Sequence, residues 1–470
     1  MLRSRACLSS RLIARAPRVA LHRYPLSRPR VLAGWKAPQI QAALRAPLCT
    51  TSGGGSSKQP EDKDAAAAVP PLDLSPEAKL QLSILLGSGF VIQMAVGMII
   101  PVLPHFAESV GLGSSGVGLI VGLPAVAKLL LNLPVGHLVD TVGRKPPLIA
   151  GVLIDGIGSI ATASASSLST MAPARMLVGA GSACGTTAGG AYTMDVVGRY
   201  PHHTGLLLGA AQAICTLGFA AGPMVGGLLA DRGGVALPFM LIGGVLIASA
   251  PVFSLLPETR PPRPPKQSMR EAIDASIQSF RKLLADDTQQ ALLLMRFALL
   301  AGWSVSLTTV PLHATAMWGA TPGQLGQIYS VVTAVGLASA PIAGHLTDRV
   351  GRRPLVVFGS VTTALSIAML PLVGQSETAY YGVMAAWAVG ETFLMTSITA
   401  LAADVTPPEA RGAQNSLGNQ AGDLTFAVMP VLLGAIAVHS HAAAFGVTSV
   451  LVLAANAAFW RLTRKVPGLR

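Results

Sequence analysis

The chain has 470 residues, of which 51% are hydrophobic and only 12% charged, and a net charge of +13. A soluble domain carries about a quarter charged residues, so this composition excludes an ordinary water-soluble globule and makes lipid the expected solvent. The charge offers no nucleic-acid footprint: residues 1–60 hold 11 Lys/Arg and no Asp or Glu, which leaves 23 basic against 21 acidic residues in the rest.

Residues 1–50 are Arg-rich, contain Ser and lack acid, the composition of an organellar transit peptide. Arg11, Arg15 and Arg18 share a helical face near Leu8, Leu12 and Ile13. That amphipathic start favours the mitochondrial inner membrane, with the plastid envelope as the alternative. Residues 51–77 are rich in Gly, Ser, Pro and charge and are expected to be a disordered linker. Ser75-Pro76-Glu77 then supplies a helix start.

Apolar segments of the roughly 20 residues that cross a bilayer follow. They fall at 81–103, 115–137, 147–166, 171–192, 205–229, 235–256, 291–314, 323–344, 354–374, 378–401, 414–438 and 441–462. Backbone polar groups must be satisfied internally in hydrocarbon, so these are expected to be helices. Alternate connections carry Lys/Arg: Arg144/Lys145, Arg199, the 257–290 loop, Arg349/Arg352/Arg353, Arg411 and the C-terminal tail. The intervening connections carry none, apart from Arg232. This alternation places both termini on one basic face. The four cysteines, Cys7, Cys49, Cys184 and Cys215, have no metal-ligand spacing.

The chain repeats itself. GHLVDTVGRKP at 136–146 recurs as GHLTDRVGRRP at 344–354, and Asp195 and Pro223 have counterparts in Asp404 and Pro430. The near-constant offset implies two homologous halves. The expected fold is therefore an all-α membrane protein, with twelve transmembrane helices in two pseudo-symmetric six-helix bundles. The divisions are 78–256, a 257–290 connection, 291–465 and a 466–470 tail. Duplicated halves with a site between them near the midplane are a transporter architecture.

The duplicated G-x-L-x-D-x-x-G-R-[RK]-P loop resembles the signature of the major facilitator superfamily, over about residues 78–465. The resemblance implies charge relays that gate the cycle: Gly136, Asp140, Gly143, Arg144 and Asp195 in the first half, and Gly344, Asp348, Gly351, Arg352, Asp404 and Arg411 in the second. Gly136 and Gly344 are expected to let neighbouring helices pack closely, and Gly143 and Gly351 to permit positive-φ turns. Where the second half reads Arg411-Gly412, the first reads Thr204-Gly205. That departure predicts a weaker first relay, or a pH-responsive one through His202 or His203. Gly218-x-x-x-Gly222-Pro223-x-x-Gly226-Gly227 resembles the antiporter motif of the drug-exporter branch, with a kink expected at Pro223. Pro101 and Pro104, expected to end the first span, and Leu256-Pro257-Glu258-Thr259-Arg260 are also similar to that branch.

Polar groups inside the apolar segments are the remaining candidates, because intramembrane charge is expensive and usually functional. Arg175 resembles a family arginine linked to proton transfer, although a position near its helix start would let it reach the interface. Asp155 and Glu391 are the proton-coupling candidates, since a carboxyl in low dielectric can load and release a proton as access alternates. Lys128 is placed to pair with Asp155. Gln93, Gln212 and His313 complete the set, with Asp423 the weakest candidate because it lies toward the basic end of its segment.

The expected activity is secondary active transport of small organic molecules by alternating access, with proton-coupled efflux favoured. A uniporter or symporter of metabolites is the alternative, and a non-transporting scaffold the third. The expected partners are the bilayer, a small-molecule substrate and protons, with no nucleic acid and a functional monomer. No enzyme activity, metal or cofactor is expected. Gly-rich runs such as 179–190 lie in an apolar helix and are not phosphate cradles.

Overall fold

The Ser75 hydroxyl accepts from the Ala78 amide at 3.1 Å, and Pro76 occupies the first helical turn. From there the chain runs as helices: α1 Pro76–Ser109, α2 Ser114–Val142, α3 Lys145–Ala163, α4 Leu168–Val197, α5 Thr204–Gly233 and α6 Leu237–Ser254. The second half continues with α7 Met269–Leu284, α8 Asp287–Trp318, α9 Pro322–Val350, α10 Arg352–Val373, α11 Glu377–Val405, α12 Arg411–Ala437 and α13 His441–Thr463. The computed structural model describes residues 72–259, 268–373 and 376–464. The basic segment 1–50, most of the 51–77 linker, Cys7, Cys49 and the 466–470 tail lie outside the described residues.

Eleven of these helices are long and apolar enough to cross a bilayer. The twelfth, α4, is diluted by Arg175, Asp195 and a run of Ser, Thr and Gly. It packs along α2 and α3. Its glycines make that possible: a Cβ on Gly179 would stand 2.3 Å from Pro124 O, and one on Gly181 would stand 2.3 Å from Asp155 N. Small residues let membrane helices approach where no hydrophobic force draws them together.

Twelve membrane helices therefore form two six-helix bundles, α1–α6 and α8–α13. The packing repeats between them: α2 on α4 matches α9 on α11, and α3 on α6 matches α10 on α13. The halves meet along two symmetry-related seams, α2 against α12 and α5 against α9.

Three expectations change. The 257–290 connection contains a helix, α7, opened by a reciprocal Ser268–Glu271 cap. It carries Arg270, Glu271, Asp274, Arg281 and Lys282 on one amphipathic turn after another, so apolar-run reasoning passed over it. Pro101 and Pro104 do not end the first span, because α1 runs through both to Ser109. Gly136 and Gly344 do not serve close packing, since a Cβ at either would meet nothing within 4 Å. The positive-φ glycines are as expected: Gly143 at 124° and Gly351 at 107° end α2 and α9.

The seams touch at the ends of helices remote from Arg144 and Arg199. A Cβ on Gly118 would lie 2.2 Å from Pro430 O, one on Gly227 2.3 Å from Pro322 O, and one on Gly326 2.3 Å from Pro223 O. Asp231 of α5 adds a polar clasp, accepting from Gly323 N and Thr321 Oγ1, each at 3.2 Å, at the start of α9. His105 of α1 hydrogen-bonds Ala320 O at 3.0 Å. The face opposite the basic one is thus sealed by backbone against backbone.

Candidate functional site

Behind this seal the halves diverge toward the basic face. A cavity of ≈ 1220 Å³ opens there, walled by α2, α4, α8 and α12, with Ala272, Ile273 and Ser276 of α7 along its side. Gly136 borders it, which is why that glycine has no close neighbour.

Lys128, midway along α2, pairs at 3.0 Å with Asp423, midway along α12. Asn132 Nδ2 donates to the other Asp423 oxygen at 2.6 Å. Lys128 therefore pairs across the two halves and not with Asp155. Asp423 is 7% exposed and sits at the centre of its helix, so the expectation that it was marginal is overturned. Nearer the basic face, Arg296 of α8 donates to Asn419 Oδ1 at 3.0 Å. An arginine inside a predicted span met the criterion for intramembrane charge, and sequence reasoning left it out.

The two relays sit at the basic ends of their own halves. Arg144 Nε donates to Asp195 at 3.0 Å, and its Nη1 to Asp140 at 3.2 Å and Val139 O at 3.0 Å. Arg352 repeats this almost atom for atom, with Asp404 at 3.0 Å, Asp348 at 2.6 Å and Thr347 O at 2.7 Å. Both are formed while the cavity is open on their face, and each bonds within one half. Arg411 stays apart and donates to Ala403 O at 3.3 Å.

The first relay is the better built, contrary to the weakening expected from Thr204. Glu258, on the segment after α6, accepts from Arg144 N at 2.8 Å and Lys145 N at 3.1 Å, capping α3. Thr259 Oγ1 donates to Asp195 at 2.9 Å. His202 is exposed and makes no part of this network. The Arg144 side chain is 8% exposed against 24% for Arg352, and Asp195 26% against 51% for Asp404, while Asp140 and Asp348 are both more than half exposed. Arg144→Ala is accordingly expected to cost about 2–3 kcal/mol, and Arg352→Ala about 1 kcal/mol or less. Thermal unfolding of the two variants in one detergent checks this, and equal losses would contradict the burial argument.

The antiporter-like motif divides its work. Gly218, Gly222 and Gly226 face α1, where a Cβ would stand 2.3–2.4 Å from Phe90, Met94 and Met98 carbonyl oxygens. Gly227 faces α9 of the other half. At Pro223 the hydroxyl of Ser330, from α9, accepts from Met224 N at 3.1 Å and donates to Ala220 O at 3.0 Å. Those two backbone groups would bond each other in a regular helix. A side chain from the opposite half is thus inserted into α5 beside its proline.

The remaining candidates scatter. Arg175 is 6% exposed and donates to Ile120 O at 3.2 Å, so it does not reach the interface. Asp155 and Gln93 line a second cavity of ≈ 260 Å³ inside the first bundle. Gln212 is exposed. His313 is buried in an aromatic cluster with Tyr380 and Phe445. Glu391 accepts from the Trp303 indole, whose ring stacks on Phe219 of the first half at 5.7 Å. Of the seven, only Lys128 borders the large cavity.

A family model described as Major Facilitator Superfamily matches residues 85–295 and 292–470. An uncharacterized MFS-type transporter of Methanocaldococcus jannaschii is 31% identical over 161 residues, 34% of this chain and 41% of that protein. Multidrug resistance protein 2 of Bacillus subtilis is 25% identical over 356 residues, 74% of this chain and 83% of it. The match thus spans less than half of the first relative and most of the second. A solved bacterial homolog of the human lysosomal transporter Spinster, inward-facing and unoccupied, superposes with TM-score 0.70 at 15% identity, covering 83% of this chain and 98% of that one. That likeness concerns the fold alone. With both repeats matched by the family model and the twelve helices arranged around a one-sided cavity, the chain belongs to the Major Facilitator Superfamily of membrane transporters.

Proposed function

We propose that this protein is a secondary transporter of small organic molecules that works by rocking its two halves about the central cavity. The observation that carries the reading is the asymmetry of the seams. On one face they close by carbonyl-to-glycine contact, on the other they stand apart, and the pseudo-symmetric pairing of α2 with α12 and α5 with α9 makes the converse closure geometrically equivalent. In this reading the Arg144 and Arg352 relays stiffen the basic end of each half as it moves. The family resemblance to drug exporters supports efflux. The Arg-rich composition of residues 1–50 supports an organellar membrane, the mitochondrial inner membrane before the plastid envelope.

Coupling to protons runs through Glu391. Its carboxylate is tied by Trp303 to Phe219, which sits on α5 beside the glycines that meet α1. A protonation change at Glu391 therefore acts on a side chain in contact with the opposite half. Glu391→Gln is expected to lower ΔpH-driven uptake into proteoliposomes by roughly tenfold or more, about 1.4 kcal/mol per decade, while substrate counterflow persists. Counterflow and ΔpH-driven flux falling together would sink the coupling role. Flux unaffected by collapsing ΔpH in the unmodified protein would favour a uniporter.

A further inference from the structure

We propose that the cargo is a small organic anion whose acidic group is held by Arg296; this deepens the transport reading and rests on it. Of the charged side chains that line the cavity, Lys128 pairs with Asp423 at 3.0 Å, and Asp140 shares Arg144, at 3.2 Å, with Asp195. Arg296 has no carboxylate within ion-pair distance among the described residues. Its one polar partner is the neutral Asn419 amide. That contact satisfies one of five guanidinium N–H groups. A cation in the membrane-spanning part of a bundle faces the interior or a water-filled path and pairs with something. Here the partner is supplied from the cavity.

The surroundings suit that chemistry. α12 presents Asn415, Ser416, Asn419 and Gln420 to the same cavity, a set of neutral donors and acceptors. Gly418 lies under the guanidinium, where a Cβ would stand 3.4 Å from Arg296 Cδ and Nε. The flat fork is thus laid along α12 with an edge left toward the cavity. Such a fork takes a carboxylate, phosphonate or sulfonate through two parallel hydrogen bonds, which a point charge cannot reproduce. Amines meet the wrong sign at Arg296, and the cavity's two carboxylates already have cationic partners, Asp423 in Lys128 with Asn132 beside it and Asp140 in Arg144.

The test uses the full-length protein in detergent and in proteoliposomes. The probes are short linear and cyclic carboxylates, phosphonates and sulfonates, each with the amide and the amine of the same skeleton. At least one acid is expected to raise the unfolding temperature while its amide and amine do not. Arg296→Gln should weaken that binding roughly 10- to 100-fold. Arg296→Lys, which keeps the charge and loses the fork, should retain part of it. Arg281→Gln, on the exposed side of α7, should leave it unchanged. Preference for amines or amides, absence of binding by any acid, or full binding by Arg296→Gln would overturn the proposal. Acid binding without counterflow would fail the transport reading and leave Arg296 as an anion-binding site whose ligand is not cargo. Amine counterflow would spare the transport reading and overturn this one.

Discussion

Gly118→Val will tip the protein toward the conformation open on the opposite face. Gly118 and Pro430 belong to different halves, and the added Cβ would fall 2.2 Å from the Pro430 carbonyl oxygen. Backbone cannot yield to that extent without separating α2 from α12. Overpacking of this kind costs about 1–3 kcal/mol, and it applies only to the state in which this seam is shut. The ratio of the two states should therefore shift about 10- to 100-fold. Gly326→Val, on the symmetry-related seam, should act in the same direction. Gly222→Val is the contrasting case: its Cβ would clash with Met94 O at 2.4 Å inside the first bundle. It should lower stability in every conformation and shift none. Spin labels at Ser115 and His439, exposed on the two sides of the sealed face, report the outcome in a cysteine-free background. An unchanged distance distribution in Gly118→Val, with a folded protein, would mean that this seam does not open.

Neutralising Lys128 or Asp423 alone will do more harm than neutralising both. The pair lies at the middle of α2 and α12, with side chains 27% and 10% exposed. Removing one partner strands a charge in the membrane interior, with an expected cost of about 2–4 kcal/mol. Removing both leaves no stranded charge, and well-filled neutral pairs are often tolerated. Lys128→Met and Asp423→Asn should each lower the unfolding temperature, and the double variant should recover most of the loss. Asn132 makes the test sharper, because the amide introduced by Asp423→Asn can still accept its hydrogen bond, while the charge on Lys128 goes unmatched. Strictly additive losses would show that the two side chains do not work as a pair.

Much of this protein was legible without coordinates because its signals are periodic and local. A repeat offset near 208 residues names two halves whatever their packing. Arg144 and Asp195, with their counterparts Arg352 and Asp404, were found because the motif brings them into one loop-and-helix-end geometry in each half. Which side chains meet is not written in any one segment. Lys128 was assigned to Asp155, on the next helix in the same half, and in fact reaches Asp423 nearly 300 positions later. Glu258 looked like a branch signature and turned out to cap α3. Ser330 carried no local pattern at all, whereas Arg296 did carry one, a charge inside the 291–314 apolar run, but nothing in the sequence showed that it faces the cavity.

Composition, hydropathy and the internal repeat by themselves settled that this chain lives in lipid, how often it crosses, and that it is built twice. They do so because the bilayer fixes helix length and forbids unpaired backbone, constraints that act on each segment separately. Only the tertiary structure decided which face is open, which glycines bring the halves together and which merely build one, and which half-buried cation faces the cavity without a carboxylate partner. Those are contacts between helices far apart in the chain, and their energies depend on ångström-scale approach and on charge partners that no single segment contains.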